Sequence, residues 1–185
     1  MEEIINLVDK VTIRARCFYL AFLGRMVLSH LEDQCEVYGV AENAIDAIFD
    51  WLRDPEAYDA EYIYQWSGNY GVEEEIESSN LDDEPKMHLL DIRINILITI
   101  RFVTFYARFR NETIPFSHSW EEDKEILNEF ADSIIIRALR LSGFNKLFAL
   151  KIAQHLYENY KVEAPEEFGE VGVDLTEIYY LENRF

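Results

Sequence analysis

Seven carboxylates fall between Glu73 and Glu84: Glu73, Glu74, Glu75, Glu77, Asp82, Asp83 and Glu84. No cation interrupts them until Lys86, and Trp66 and Tyr70 stand just upstream. Like charges at this density repel one another and stabilise nothing alone; solvation relieves the repulsion. Opposite a basic protein surface they become useful, because carboxylates pair with the Lys and Arg that grip nucleic acid. Trp66 and Tyr70 add the desolvated anchor that charges lack. The competing reading is a solvated loop with no partner.

Other reactive groups are scattered. His30, His88, His118 and His155 lie far apart, and none belongs to an HExxH pair. Glu84, His88 and Asp91 are spaced i, i+4, i+7 and share one helical face. Three ligands do not complete a divalent-ion site, so a helix-start salt-bridge cluster is the competing expectation. The glycines never cluster into a phosphate cradle, and no GxSxG elbow occurs. Cys17 and Cys35 are isolated thiols expected to stay reduced. No metal and no cofactor is therefore expected. Arg25-Met-Val-Leu-Ser-His30 fits the Arg-x4-His pattern of the all-helical HEPN ribonucleases. That resemblance implies an alternative function, RNA cleavage by Arg25 and His30. The neighbours of Arg25 are apolar where that family favours a polar residue, and five residues apart on a helix the two side chains diverge by about 140°. Tyr58, Tyr62, Tyr64, Trp66 and Tyr70 offer a stacking platform; half-buried packing is the competing reading.

Composition narrows the partner. The chain has 185 residues, with 36 Asp and Glu against 17 Lys and Arg, for a net charge of −19. Such a surface repels phosphate backbones and anionic lipid heads and attracts basic proteins over a Debye length of about 8 Å. Direct nucleic-acid binding ranks far below a basic protein partner on that ground, and solubility alone also explains the acidity. Hydrophobic residues make up 49%, enough for a real core, while 7 Gly and 4 Pro are too few for the turns of a sandwich or barrel. The start, MEEIINLVDK, lacks the basic n-region and uninterrupted apolar core of a signal peptide, and reduced Cys17 and Cys35 fit the expectation of a cytoplasmic protein.

The elements that must position these residues read as all-α: a single-domain helical bundle over residues 1–185. Its expected centre is the run His88 to Phe109, long enough for roughly six helical turns without Gly or Pro. The apolar residues of this run fall on two opposed sectors. Leu89, Ile92, Ile96, Ile100 and Val103 form one; Leu90, Ile94, Ile98 and Phe105 form the other. Asp91, Asn95 and Thr99 make a narrow polar seam between them, and Arg93, Arg101, Thr104 and Arg108 a second. A helix with two apolar faces is sandwiched between layers. Asp91, Arg93 and Arg101 make a membrane span costly, at about 2.5–3.5 kcal/mol per central charge.

Around it, residues 2–33 carry apolar positions at mixed three and four spacings, with Asp9 as the expected cap of a second segment. Gly24 sits mid-helix, where it permits close packing. Residues 34–40 read as a connection and Ala41 to Arg53 as a helix with an exposed Glu42, Asp46, Asp50 ladder. Asp59 to Trp66 follows as a short helix, then an acidic loop over 69–85. Ser119 and Glu122 match a capping box for a helix to about Leu141. Its expected apolar face is Ile126, Leu127, Phe130, Ile134, Ile135, Ala138 and Leu141. Gly143 closes it, and a further helix covers Asn145 to Tyr160. The acidic tail over 162–185 holds a short helix or edge strand.

Ala44-Ile45, Ala47-Ile48 and Trp51, then Asp59-Ala60-Glu61 before Ile63-Tyr64, form one half of a pattern. Phe105-Tyr106-Ala107, Ile114-Pro115 and the helix after Ser119 form the other. From Ala41 to about Asp132 the chain thereby resembles an all-helical family of immunity proteins from bacterial polymorphic-toxin systems of the contact-dependent inhibition type. It departs in lacking a Trp early in the long helix, where His88 to Ile92 stands. The resemblance implies a cytoplasmic, non-catalytic antidote that binds a cognate toxin domain, often a nuclease. A structural adaptor is the remaining alternative.

Overall fold

The computed structural model describes residues 1–29, 38–54, 58, 62, 80, 82–109 and 120–162. Among these the regular structure is helical: α1 (Glu2–Val8), α2 (Ile13–Ser29), α3 (Tyr38–Arg53), α4 (Asp83–Phe109), α5 (Trp120–Arg140) and α6 (Lys146–Tyr160). One isolated antiparallel bridge joins Val11 to Lys161.

The most enclosed of these helices is α2. It is buried from Ile13 to Gly24 and again at Val27 and Leu28, so burial runs around its whole circumference. This accounts for the mixed spacings in the sequence, since a helix covered on every side has no single stripe. It packs most extensively on α4, then α3, and also touches α1, α5 and α6. Phe49 of α3, Phe18 and Phe22 of α2 and Phe148 of α6 form a continuous aromatic chain with ring centroids 5.5–6.2 Å apart.

Four polar side chains in the first half of α2 tie it to its neighbours. Arg14 donates from Nη2 to the carbonyl of Leu52 in the last turn of α3. Arg16 donates from Nε to the carbonyl of Val8 (3.3 Å) and from Nη2 to that of Asp9 (2.6 Å) at the end of α1. Its Nη1 reaches Asn128 Oδ1 on α5 at 2.6 Å. Cys17 Sγ lies 3.9 Å from the carbonyl of Thr99 in α4, and the Tyr19 hydroxyl donates to the carbonyl of Ala149 in α6 at 3.3 Å. Two of these residues are buried arginines that cap helix C-termini, where carbonyls lack partners and the dipole favours a cation.

The second helix layer is α4, which packs on α2, α3 and α5 as a sandwiched helix must. Leu89, Ile92 and Ile96 are buried, and Leu90 and Ile94 of the opposite sector are half-buried. The seam beside them is not a polar edge. Asn95 and Thr99 are 3% and 0% exposed, facing α2. Asn95 Nδ2 donates to the carbonyl of Leu20 at 2.9 Å, and Thr99 Oγ1 lies 2.8 Å from the Asn95 carbonyl and 3.2 Å from Asn95 Oδ1. With their hydrogen bonds met, both sit in the interior without the usual desolvation cost.

Several boundaries differ from the sequence expectation. Thr12 caps α2, its Oγ1 accepting from the Ala15 N–H at 3.3 Å, while Asp9 ends α1 instead. Tyr38, Gly39 and Val40 belong to α3 and not to a connection. The acidic loop yields Asp83, Glu84 and Pro85 to the first turn of α4, which therefore starts before His88. Acidic residues suit a helix N-terminus, and a proline there forfeits no intrahelical bond. On α5, Ala131, Ile134, Ile135, Ala138 and Leu139 are buried but Phe130 is 49% exposed. The small Ala131 and Ala138 occupy the centre of the buried arc, leaving Phe130 beyond its edge. The turn after α5 uses Gly143 at φ 78°, and Asn145 Oδ1 accepts from the Phe148 N–H at 3.0 Å to start α6. The short helix expected at Asp59 to Trp66, the Ser119 cap, and the tail beyond Val162 lie outside the described residues.

Candidate functional site

Asp82, Asp83 and Glu84 are exposed at the entrance to α4, where the Asp82 carbonyl accepts the Lys86 N–H at 3.2 Å. Met87, 52% exposed, is an apolar side chain in the same first turns. Three carboxylates and one exposed apolar residue thus meet solvent together at a helix start. Trp66, Tyr70, Glu73, Glu74, Glu75 and Glu77, the rest of the expected partner-binding set, lie outside the described residues.

The shared face of Glu84, His88 and Asp91 resolves into two ion pairs. His88 Nε2 is 3.8 Å from Glu84 Oε1, a salt bridge only when the imidazole is protonated. Asp91 Oδ1 is 2.5 Å from Arg137 Nη1 on α5. Asp91 is paired with Arg137, and no group of three or more His, Cys, Asp or Glu able to hold a metal ion occurs among the described residues. The cleft beside this pair, between Gly24 of α2, Asn95 of α4 and Arg137 of α5, encloses only ≈ 10 Å³, about one water molecule. A small-molecule substrate does not fit there.

Arg25 of the Arg-x4-His pattern is engaged by α3. It forms an ion pair with Asp46 and lies over the Phe49 ring at 4.3 Å from the centroid. His30 lies outside the described residues. Tyr58 and Tyr62 pair at 5.3 Å between ring centroids and pack half-buried on the core, as their packing interpretation has it. Tyr64 lies outside the described residues. Cys17 is a free, buried thiol whose burial pushes its pKa well above the usual thiol range, and burial does the same to the Tyr19 phenol. Neither supplies an anionic nucleophile at neutral pH. Cys35 lies outside the described residues.

Among the described residues, a cluster of perturbed charged groups lies at the corner of α1, α2 and α5. Burial lowers the Arg16 pKa from its ordinary value, against the attraction of Asp9. Burial raises Asp9, against Arg16 and Lys10. Asp132 on α5 is pushed up to about 6 by burial first and then by Asp9, with Arg16 opposing and Glu129 adding. Sequence reasoning missed this corner. Its available signal was Arg14 and Arg16 inside an otherwise apolar helix, IRARCFYLAFLG.

No protein-family model matches the chain, and neither a curated protein nor a solved structure matches it.

Proposed function

We infer that the protein is a non-catalytic immunity protein that binds a cognate toxin domain, a basic nuclease in the simplest case, and acts in the cytoplasm. The observation that carries this is the outward bias of negative charge. The chain has a net charge of −19, and two of its 17 cationic residues, Arg14 and Arg16, are spent inside the fold capping helices. The carboxylates Asp82, Asp83 and Glu84 face solvent beside Met87, at the end of the acidic stretch that begins at Glu73. Such a surface steers a basic partner inward at long range and pairs with its Lys and Arg at contact. The resemblance of Ala41 to Asp132 to an immunity family supplies the biological role. Engagement of Arg25 by Asp46 and Phe49 favours this reading over a ribonuclease, because that guanidinium is committed to the α2–α3 seam.

The test is whether a large secreted protein is encoded immediately upstream, followed by a binding measurement against the C-terminal domain of that protein. Association at low salt is expected to be fast and to slow as salt rises. Replacing Glu73, Glu74 and Glu75 by Lys should slow it about ten-fold or more at low salt, less at high salt, with an unchanged melting temperature. Unchanged kinetics at low ionic strength would place the interface elsewhere, first in the acidic tail from Glu163 to Glu182. Absence of binding by the unaltered protein would defeat the inhibitor reading.

A further inference from the structure

Arg16 holds the corner of α1, α2 and α5 together. Its guanidinium directs Nε and Nη2 to the carbonyls of Val8 and Asp9 and Nη1 to Asn128, with the Asp9 carboxylate 3.7 Å away. One turn beyond Asn128 on α5 stands Asp132, which shares this cation's field without receiving one of those hydrogen bonds. Its Oδ1 is buried and has no hydrogen-bond partner among the described residues. A buried carboxylate oxygen in that position is costly, and its remedy is a proton or exposure to water.

We propose that Asp132 is a proton-operated clasp between α5 and the α1–α2 corner, tightening when its carboxylate takes a proton from solvent and loosening when it returns that proton. One O–H bond forms on the carboxylate and no other covalent bond changes. The charged groups facing Asp132 are Asp9 from the end of α1, Arg16 from α2 and Glu129 from its own helix, with Lys10 acting on Asp9. On α4, Asp91 is engaged by Arg137 five residues further along α5. Protonation removes a negative charge from beside Asp9 and Glu129 and ends the burial cost. It also gives up attraction to Arg16, a smaller effect than burial.

The sign follows from linkage. In the closed corner the Asp132 pKa lies near 6, above its value near 4 in an opened, solvated corner, so the closed form binds the proton more tightly. The clasp is therefore firmest below about pH 4, weakens as pH rises through 6, and is level above that. At neutral pH α5 is held less tightly to the α1–α2 corner, while α1 keeps its main packing on α6. The device is independent of the inhibitor reading.

Hydrogen exchange of the full-length protein tests it. The reporters are the amides of Asp9, Thr12 and Arg16, which donate to the carbonyls of Ile5, Tyr160 and Thr12. After correction for intrinsic exchange, their opening should increase about ten-fold between pH 4 and 7, a figure reduced from the full linkage for partial solvation. Asp132→Asn should shrink that step to the part that Asp9 contributes and protect the corner at pH 7. An independent NMR titration of the Asp132 carboxyl in the unaltered protein should give a midpoint near 6, moving down in Asp9→Asn. A midpoint near 4, or an unchanged pH step in Asp132→Asn, overturns the proposal; should that variant fail to fold, the carboxyl titration decides alone.

Discussion

Gly24 shows how one atom's absence sets the distance between two helices. A Cβ built there would lie 3.3 Å from Asn95 Nδ2 and 3.3 Å from Ile45 Cδ1. Alanine normally gains about 1 kcal/mol over glycine inside a helix. Here Ile45 has a flexible end that can turn aside, but Asn95 is pinned by its bond to the Leu20 carbonyl and by its contacts with Thr99. Moving it strands a buried amide, at a cost of about 1–3 kcal/mol. Gly24→Ala is therefore expected to destabilise by about 1 kcal/mol net, seen as a lower denaturation midpoint with an unchanged slope; a gain in stability would show that Asn95 yields freely. The sequence makes Gly24 legible as a close-packing site. It places Asn95 and Thr99 on a polar seam, because periodicity counts them as polar and cannot register that the Leu20 carbonyl waits opposite.

At the scale of helices, the ends are set by single side chains whose cost can be measured. Asn145 starts α6 by accepting the Phe148 N–H, and its side chain does so from an exposed position. Asn145→Ala should cost about 1 kcal/mol by thermal or chemical unfolding, and Asn145→Ser or Asn145→Asp should restore most of it. Equal losses in all three variants would assign the effect to something other than capping. Helices whose apolar residues repeat cleanly were readable: α3 and α6 fall within a few residues of expectation, and Ala44, Ile45, Ala47, Ile48 and Trp51 are all core. Those five also open the first half of the immunity-family resemblance, so that part of it rests on residues that pack α3. The buried middle helix was harder to read. Uniform burial of α2 erases the periodicity that marks a face, whereas the two apolar sectors of α4 make its sandwiched position legible.

For the whole molecule the dominant quantity is charge. At −19 the folded chain repels itself, and its described surface ion pairs, Arg25–Asp46, Arg53–Asp50 and Asp91–Arg137, offset little of that in water. Added salt screens the repulsion more than it weakens three pairs. Raising sodium chloride from 20 to 500 mM should raise the melting temperature by roughly 2–4 °C, equivalent to about 1 kcal/mol for a chain this size. A fall would mean that attractive pairs outweigh net repulsion. Of the candidate site's carboxylates, Asp82, Asp83 and Glu84 are exposed at the start of α4. The acidic run is legible as charge, but charge without periodicity does not say which residues a partner touches.

The bridge between Val11 and Lys161 carries a kinetic consequence. Thr12 N–H reaches the Tyr160 carbonyl and Val162 N–H the Lys10 carbonyl, each at 2.9 Å, while α1 lies on α6. These contacts close a loop of about 150 residues, whose entropy, about 4 kcal/mol, is recovered only after the intervening helices have packed. The α1–α6 contact is therefore expected to assemble on the native side of the folding barrier. Truncating Ile4, which is buried in α1, should accelerate unfolding while leaving the folding arm of the chevron almost unmoved. Stopped-flow kinetics of Ile4→Ala would read this directly, and a slowed folding arm would place the corner in the nucleus. The last part of the molecule to form is then the first to let go, so the lifetime of the folded protein is governed where its two most distant described helices meet.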